Sequence, residues 1–238
     1  MTETLEVGDI TIDVTFKEIK NVHLSVYPPD GHVRVAAPIR MNLDTVRVFT
    51  ISKLPWIKKQ QKKLRDQPRE TARQYVDRES HYVWGERCLL KVVEKEAAPS
   101  VEKHHDTLIL TIRHNTDLSK RQAIVEAWYR DQIRQVLTPL VQKWEKTMGV
   151  KVERFFIQRM KTKWGSCNHE RRTIRLNSEL AKKPLECLEY VLVHELAHLL
   201  EPSHNARYKA LMDHFMPEWR HRRDTLNELP IGHSDWVY

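Results

Sequence analysis

The sequence predicts an α+β fold, and three observations support this prediction. Apolar and polar residues alternate over residues 10–16 and 33–35, which is typical of strands with one buried face. Over residues 123–144, apolar residues instead recur at helical spacing. With 238 residues, of which 40% are apolar, the chain can bury a real core. We therefore expect a β-rich N-terminal lobe with a basic helix, residues 1–115, and a C-terminal lobe, residues 116–238.

The N-terminal lobe is predicted to begin with three strands and a helix. The strands cover residues 10–16, 22–26 and 33–35. Asn42 can cap the helix that follows, and Pro55 indicates a break or a new first turn within it. The tail of this helix is largely basic and includes Lys58, Lys59, Lys62 and Lys63.

A second β portion is predicted at residues 82–93 and 108–112. The stretch between them, residues 94–106, is polar and is predicted to be a loop. No internal repeat is evident in the sequence.

A long helix is predicted at the start of the C-terminal lobe. Asp117 or Ser119 can cap its first turn, and Gly149 is typical of its end. Apolar residues at helical spacing continue to Trp144, and Pro139 predicts a kink.

Two strands of a ribbon are predicted next, at residues 152–163 and 173–177, with residues 164–168 near the turn. Pro184 suits the first turn of the following helix, and Pro202 ends that helix. Two short helices are predicted after this proline.

The helix after Pro184 carries a pattern that can bind a metal ion. Residues 194–198 read His-Glu-Leu-Ala-His, and His204 follows six residues later. Residues four apart lie on one face of a helix, so two imidazoles can meet one ion while the glutamate borders the same cavity. Pro202 cannot continue the helix, and a chain that bends there can return His204 to the ion. The offsets match the metzincin pattern HExxHxxGxxH, except that Glu201 stands at the glycine position.

The alternative interpretation is a set of ordinary core histidines. Residues 187–200 are apolar nearly all round, as in a helix buried on most sides. Two histidines and a carboxylate in such a helix cost free energy unless something pairs with them. A metal ion would satisfy all three, so we favour a functional site.

The pattern predicts one catalytic zinc ion per chain. His194, His198 and His204 would supply three neutral imidazoles and leave one position on zinc open to water. Glu195 would act as the catalytic general base, taking a proton from water and passing it to the leaving amine.

Other residues near this pattern have two interpretations each. Glu201 or Glu218 could replace His204 as an acidic third ligand. Cys167 could coordinate or block the metal, or could simply pack. Trp164 is either a core anchor or a substrate platform, and Tyr208 either packs or donates a hydrogen bond to the oxyanion.

Several segments resemble the YgjP-like metallopeptidase family, and they span most of the chain. They are residues 159–167, 174–177, 190–198 and 201–205, together with the N-terminal strands and residues 53–57. The combination of HExxH with Trp-Gly-Ser-Cys and the third histidine is far more specific than HExxH alone. The resemblance implies a zincin-like metallopeptidase lobe that hydrolyses peptide bonds in protein or peptide substrates. More distantly, the C-terminal lobe is similar to SprT-like and Wss1-like proteases, some of which act on proteins crosslinked to DNA.

The net charge of +8 is compatible with a polyanionic partner. Basic residues are concentrated in residues 53–73 and 159–175. Each segment could be an ordinary solvated face. If both face one side, they would offer a track for DNA or for a DNA-bound protein, in which the basic helix contributes Lys58, Lys59, Lys62 and Lys63.

The sequence favours a cytoplasmic location without membrane insertion. Residues 1–6 have neither a basic nor an apolar signal region, and no apolar run approaches membrane-spanning length. The three cysteines are an odd count without CxxC spacing, which fits a reducing compartment.

Two functions from different classes follow from these features. As a peptidase, the protein would pair an extended substrate with an edge strand, for which we predict the strand at residues 152–163. The alternative is a DNA- or RNA-associated binding module whose zinc is structural and which has no activity. A closed shell of four ligands would indicate the binding module, whereas an open position beside Glu195 would indicate catalysis.

Overall fold

The structure is a computed structural model, and it describes residues 2–27, 31–66, 72–160 and 163–229. These residues form two compact units, one up to residue 66 and the other from residue 72. The architecture is α+β, as predicted, with three small sheets and five α-helices among the described residues.

The first unit consists of one sheet and one helix. Its strands lie in the order β1-β2-β4-β3, in which β2 and β4 are parallel and both outer pairs are antiparallel. Asn42 caps helix α1, since its side-chain oxygen accepts a 2.8 Å hydrogen bond from the Thr45 amide. The helix is not broken at Pro55, which corrects the sequence prediction. The elements are β1 (Thr2–Val7), β2 (Ile10–Lys17), β3 (His23–Tyr27), β4 (His32–Pro38) and α1 (Leu43–Asp66).

The second unit begins with another four-stranded sheet. Its strands are β5 (Ser80–Val83), β6 (Glu86–Glu94), β7 (Ser100–His104) and β8 (Thr107–Ile112), in the order β5-β6-β8-β7. Strand β7 lies within the stretch predicted to be a loop. It is an edge strand in which Val101 is the one buried residue, so its sequence carries almost no alternation.

The same arrangement of four strands and a helix therefore occurs twice. In both sheets two antiparallel hairpins join through a central parallel pair, and a long helix follows: α1 in the first case and α2 (Leu118–Met148) in the second. This repeat is invisible in the sequence. A half-buried strand requires alternating apolar positions rather than particular residues, so the two copies can share a topology without sharing identities.

Helix α2 has the termini that the sequence predicts. Asp117 accepts a 2.8 Å hydrogen bond from the Lys120 amide, and Gly149 adopts a left-handed conformation with φ 66° at the other end. The helix continues through Pro139.

The third sheet differs from the predicted ribbon. Its strands are β9 (Arg154–Gln158), β10 (Gly165–Asn168) and β11 (Thr173–Asn177), in the order β10-β11-β9. Strand β10 pairs antiparallel with β11, whereas β9 runs parallel to β11 on its other side. The segment expected near the turn is thus a strand itself. It went unrecognised because Gly-Ser-Cys-Asn has no β-branched residue and no alternation.

The remaining elements enclose the metal-binding pattern. A 3-10 helix (Ser178–Lys182) leads into α3 (Leu185–Ala197), and α4 (Ala206–Phe215) and α5 (Trp219–Glu228) follow. Helix α3 is buried on most sides and packs against α2, α4, α5, β10 and β11. None of the helices in the described residues is both long and apolar enough to cross a membrane.

The chain passes from the first unit to the second between residues 66 and 72, whereas the prediction placed the boundary at residue 115. Leu90 and Leu110 of the second sheet are buried in the same core as Ile133 of α2 and Leu188 of α3. Because this sheet shares its core with the helices that follow it, it belongs to the C-terminal unit.

Candidate metal centre

Three histidine side chains converge at the end of α3. His194 is in the last turn of the helix, His198 directly follows it, and His204 lies in the loop before α4. One ring nitrogen from each lies within 4.8 Å of the others, and the Nε2 atoms of His194 and His204 are 3.1 Å apart. Two nitrogens bound to one tetrahedral zinc ion would be about 3.3 Å apart. The three donors therefore fit a single metal ion.

A tight turn brings His204 back to the other two histidines. The Glu201 amide donates a 2.9 Å hydrogen bond to the Ala197 carbonyl, which closes the end of the helix without a glycine. The Glu201 carbonyl also lies 3.2 Å from Nδ1 of His198 and can accept its proton. This contact leaves Nε2 of His198 as the donor toward a metal ion.

Tyr208 packs against the same histidine cluster. Its ring stacks on His198 at 4.7 Å and 27°, and its hydroxyl donates a 3.1 Å hydrogen bond to the His194 carbonyl. The side chain is buried. Because the hydroxyl is engaged with the helix backbone, the structure favours the packing interpretation of Tyr208 over an oxyanion contact.

The surroundings favour the neutral form of the His194 and His198 imidazoles. Burial lowers the pKa of His194 to about 3, and His198 and His204 add to the effect. Burial also lowers the pKa of His198. Nδ1 of His194 is buried and has no hydrogen-bond partner among the described residues, so protein groups alone do not satisfy both nitrogens of this ring. Neutral imidazoles at His194 and His198 are suited to bind a metal ion through the nitrogens that face the cluster.

Glu195 is the buried carboxyl group of the site, with 5% of its surface exposed. Burial raises its pKa to about 8, and the nearby Lys163 ammonium opposes this shift. Gly165 of β10 lies directly against it. A Cβ atom at residue 165 would be 2.6 Å from Oε1 of Glu195 and 2.9 Å from Cγ1 of Val191. The carboxyl group can occupy its place only because residue 165 has no side chain.

A cavity of about 400 Å³ opens over these groups. Trp164 lines it and also packs against the core, so it can serve both as an anchor and as a substrate wall. Tyr190 lies one helical turn before His194, and its hydroxyl forms no hydrogen bond within the described part of the chain. The lining includes the three histidines, Lys163, Glu195, Arg223 and Leu226.

The alternative metal ligands lie outside the cluster. The Glu201 carboxylate accepts a 3.0 Å hydrogen bond from the Ser203 hydroxyl, and the Glu218 carboxylate is 3.3 Å from the Arg222 guanidinium. Cys167 lines the cavity, where burial and then Glu195 raise the pKa of its thiol to about 11. It is therefore a neutral thiol near pH 7.

Sequence reasoning missed Gly165, Tyr190, Lys163 and Arg223 as parts of this site. Two sequence signals could have identified Gly165 and Tyr190. A glycine in a short strand indicates a close approach of another group, and a tyrosine four residues before a helical ligand shares its face. No sequence signal joins Lys163 to Arg223, which are 60 residues apart along the chain.

The predicted nucleic-acid contacts lie on α1 in the first unit. Lys58 forms a 3.1 Å ion pair with Asp9, while Lys59 and Lys62 are exposed. The Lys63 side chain lies outside the described residues, as do Arg69 and Lys161 of the predicted basic segments.

Comparison with known proteins identifies the family. No curated protein sequence matches the chain. Two solved structures are similar to part of this chain. The metallopeptidase zymogen of Pyrococcus abyssi abylysin is 22% identical, with a TM-score of 0.35 over 37% of this chain and 89% of that chain. The zymogen of Methanocaldococcus jannaschii jannalysin is 21% identical, with a TM-score of 0.33 over 37% of this chain and 90% of that chain.

The family match covers far more of the chain than these structures do. The model of the YgjP-like metallopeptidase domain matches residues 20–229, which include the three histidines and the strand that carries Gly165. The family predicted from the sequence is thus confirmed. The chain belongs to the YgjP-like family and is a metallopeptidase.

Proposed function

We propose that this metallopeptidase hydrolyses peptide bonds with a single zinc ion held by His194, His198 and His204, and with Glu195 as general base. The observation that carries this proposal is the convergence of three imidazoles and one buried carboxyl group on one cavity. Within the described residues the cluster has no fourth side-chain ligand. An open position of this kind supports catalysis over a purely structural zinc.

The chemistry divides between the ion and the protein. Bound zinc would supply a Lewis acid that activates water and polarises the peptide carbonyl. Glu195 would accept the proton of the attacking water and deliver it to the leaving amine. The Glu201 carbonyl would keep the His198 ring oriented during the reaction.

A peptide substrate would pair with the free edge of β10. Strand β10 has one neighbour, β11, in the described sheet, and it packs against α3 beside Glu195. The predicted edge at residues 152–163 corresponds to β9, which is at the opposite edge of the sheet. Strand β10 is the better candidate because an extended peptide added there would pass the catalytic carboxyl group.

Zinc dependence is tested first. Cleavage of an unfolded protein substrate should be lost after treatment with a chelator and restored by about one equivalent of zinc per chain. A chain that cleaves equally well without any divalent metal ion would contradict the proposal.

His204→Ala should lower zinc affinity by at least roughly a hundredfold, because it removes one of three nitrogen donors. Competition with a chromogenic chelator measures the affinity, and elemental analysis measures the zinc content. His214→Ala is the matched control, since His214 is an exposed histidine of α4 outside the cluster. Unchanged affinity in His204→Ala would remove His204 from the site and return attention to Glu201 and Glu218.

DNA, or a protein bound to DNA, is a further proposed partner. Lys59 and Lys62 of α1 are exposed in the first unit. In the second unit, the guanidinium groups of Arg154 and Arg175 lie 6.0 and 5.3 Å from the centre of the Phe156 ring. Such exposed cations support binding to phosphate groups without base specificity.

The three free cysteines are compatible with a cytoplasmic location, which we also propose.

The Lys58/Lys59/Lys62→Glu variant should weaken DNA binding by at least about tenfold at low salt, because cations that neutralise phosphates become anions. Affinity of the wild type should fall steeply between low and physiological salt. The Lys91/Lys95/Arg113→Glu variant changes the net charge equally at exposed positions of the other unit and is the control. Binding without salt dependence, or equal in both variants, would make the basic helix an ordinary solvated face.

A further inference from the structure

We propose that Lys163 and Arg223 select peptides that carry a carboxylate group close to the scissile bond. This inference rests on the proposed function, since it assigns a substrate class to the same cavity. It concerns residues outside the metal cluster, contributed by two separate parts of the fold: the segment before β10 and helix α5.

Lys163 brings a basic side chain to the cavity. Its side chain is exposed and lines the cavity, and it forms no ion pair with any residue that the structure describes. Lys163 and Glu195 line the same cavity, so a carboxylate of a substrate bound there can meet the ammonium group.

Arg223 lies on α5, where its guanidinium contacts two neighbouring side chains. Its guanidinium lies 5.2 Å from the centre of the Trp219 ring and 2.8 Å from the Asp224 carboxylate. A guanidinium has five N–H donors, so the pair with Asp224 leaves donors for a second carboxylate. Asp224 itself does not line the cavity.

The balance of charge in the cavity favours an incoming anion. Lys163 and Arg223 are both basic residues, whereas Glu195 is the one carboxyl group among the lining residues. A metal ion at the three histidines adds to the positive charge. Leu226 and the Tyr190 ring form an apolar wall beside the basic residues. Because an apolar wall excludes water, it strengthens the attraction between these residues and a substrate carboxylate. A substrate carboxylate is attracted, and a lysine or arginine of the substrate is repelled.

Two parts of a peptide can present this carboxylate. It could belong to an aspartate or glutamate side chain, or it could be the free C-terminus. Both have the same charge and the same bidentate geometry toward a guanidinium. The experiment distinguishes them with peptides that differ only at these two places.

Binding to the Glu195→Gln protein tests selectivity without cleavage. The probes are fluorescently labelled peptides of one sequence with a central Glu, Gln or Lys, each with a free or an amidated C-terminus, and anisotropy gives the Kd. We expect the Glu peptide to bind about tenfold more tightly than the Lys peptide. Lys163→Glu and Arg223→Glu, each added to this protein, should abolish or reverse that ratio. Lys91→Glu and Arg113→Glu, exposed cations outside the cavity, should leave it unchanged.

Each outcome supports or overturns the inference. A difference between central residues assigns the carboxylate to a side chain, and a difference only between free and amidated peptides assigns it to the C-terminus. Equal affinities throughout, or a preference that survives both cavity variants, would overturn it. Cleavage of the Glu, Gln and Lys peptides by the wild type is measured separately. If the wild type cleaves these peptides without charge preference, the proposed function stands and the inference is wrong. If the peptides bind selectively but are not cleaved, the inference stands and the proposed function is wrong.

Discussion

Glu195→Gln should lower peptide cleavage by roughly two to four orders of magnitude while the fold and the bound zinc remain. Glutamine keeps the size and shape of the side chain but cannot accept a proton from the attacking water. It is also neutral, so it fits the buried position that raises the pKa of the native carboxyl group. The loss should appear in kcat with little change in KM, because the carboxyl group acts during proton transfer rather than in ground-state binding.

The measurement is steady-state cleavage of a fluorogenic peptide, accompanied by zinc analysis and thermal unfolding of both proteins. Glu186→Gln is the matched control, because it makes the same chemical change at an exposed position of the same helix. If the wild type cleaves a peptide and Glu195→Gln cleaves it equally fast, the assignment of the base is wrong. If Glu195→Gln loses its zinc, the variant reports on binding instead, and Glu195→Asp becomes the decisive comparison.

Local signals predicted the parts of the structure whose causes are themselves local. The ends of α2 depend on a capping aspartate and a left-handed glycine, and both can be recognised in the sequence. The same holds for the approach of His194 and His198, since helical periodicity alone places residues four apart on one face. The return of His204 was also predictable, because Pro202 cannot extend the helix.

Features that depend on tertiary neighbours were not predictable from one sequence. Strand β7 has a single buried apolar residue, so its pairing with β8 leaves no periodic pattern. Strand β10 is stabilised by its pairing with β11 and its packing against α3 rather than by its own β propensity. The unit boundary was misplaced for a similar reason, because no local pattern shows which core a sheet will join.

The candidate site shows the same difference between features with local causes and features that depend on tertiary neighbours. HExxH predicts the groups that we propose to bind metal and move protons, but it does not show what holds Glu195 in position. That role belongs to β10, since the carboxyl group of Glu195 fills the space above Gly165 where other residues have a Cβ atom. The Trp-Gly-Ser-Cys segment is thus part of the geometry that positions the proposed base, and its glycine can be tested directly.

Gly165→Ala should lower kcat/KM by roughly a hundredfold, because a displacement of about 1 Å at a reacting group has an effect of this size. The added Cβ would lie 2.6 Å from Oε1 and 2.8 Å from Cγ of Glu195, so the carboxyl group must move. Gly165 is absent from the residues with positive φ, and alanine therefore adds no backbone strain. The effect is steric and is directed at one side chain.

Three measurements separate this displacement from a general loss of structure. Zinc affinity should stay within about threefold of the wild type, since the contacts of the histidines with Glu201 and Tyr208 are untouched. The free energy of unfolding should fall by about 1–3 kcal/mol, as expected for one overpacked methyl group. Ser166→Ala, which removes atoms from the next residue of β10, controls for sensitivity of the strand itself. Wild-type kcat/KM in Gly165→Ala would show that the position of Glu195 does not depend on this contact, and the strand would then lose its proposed part in catalysis.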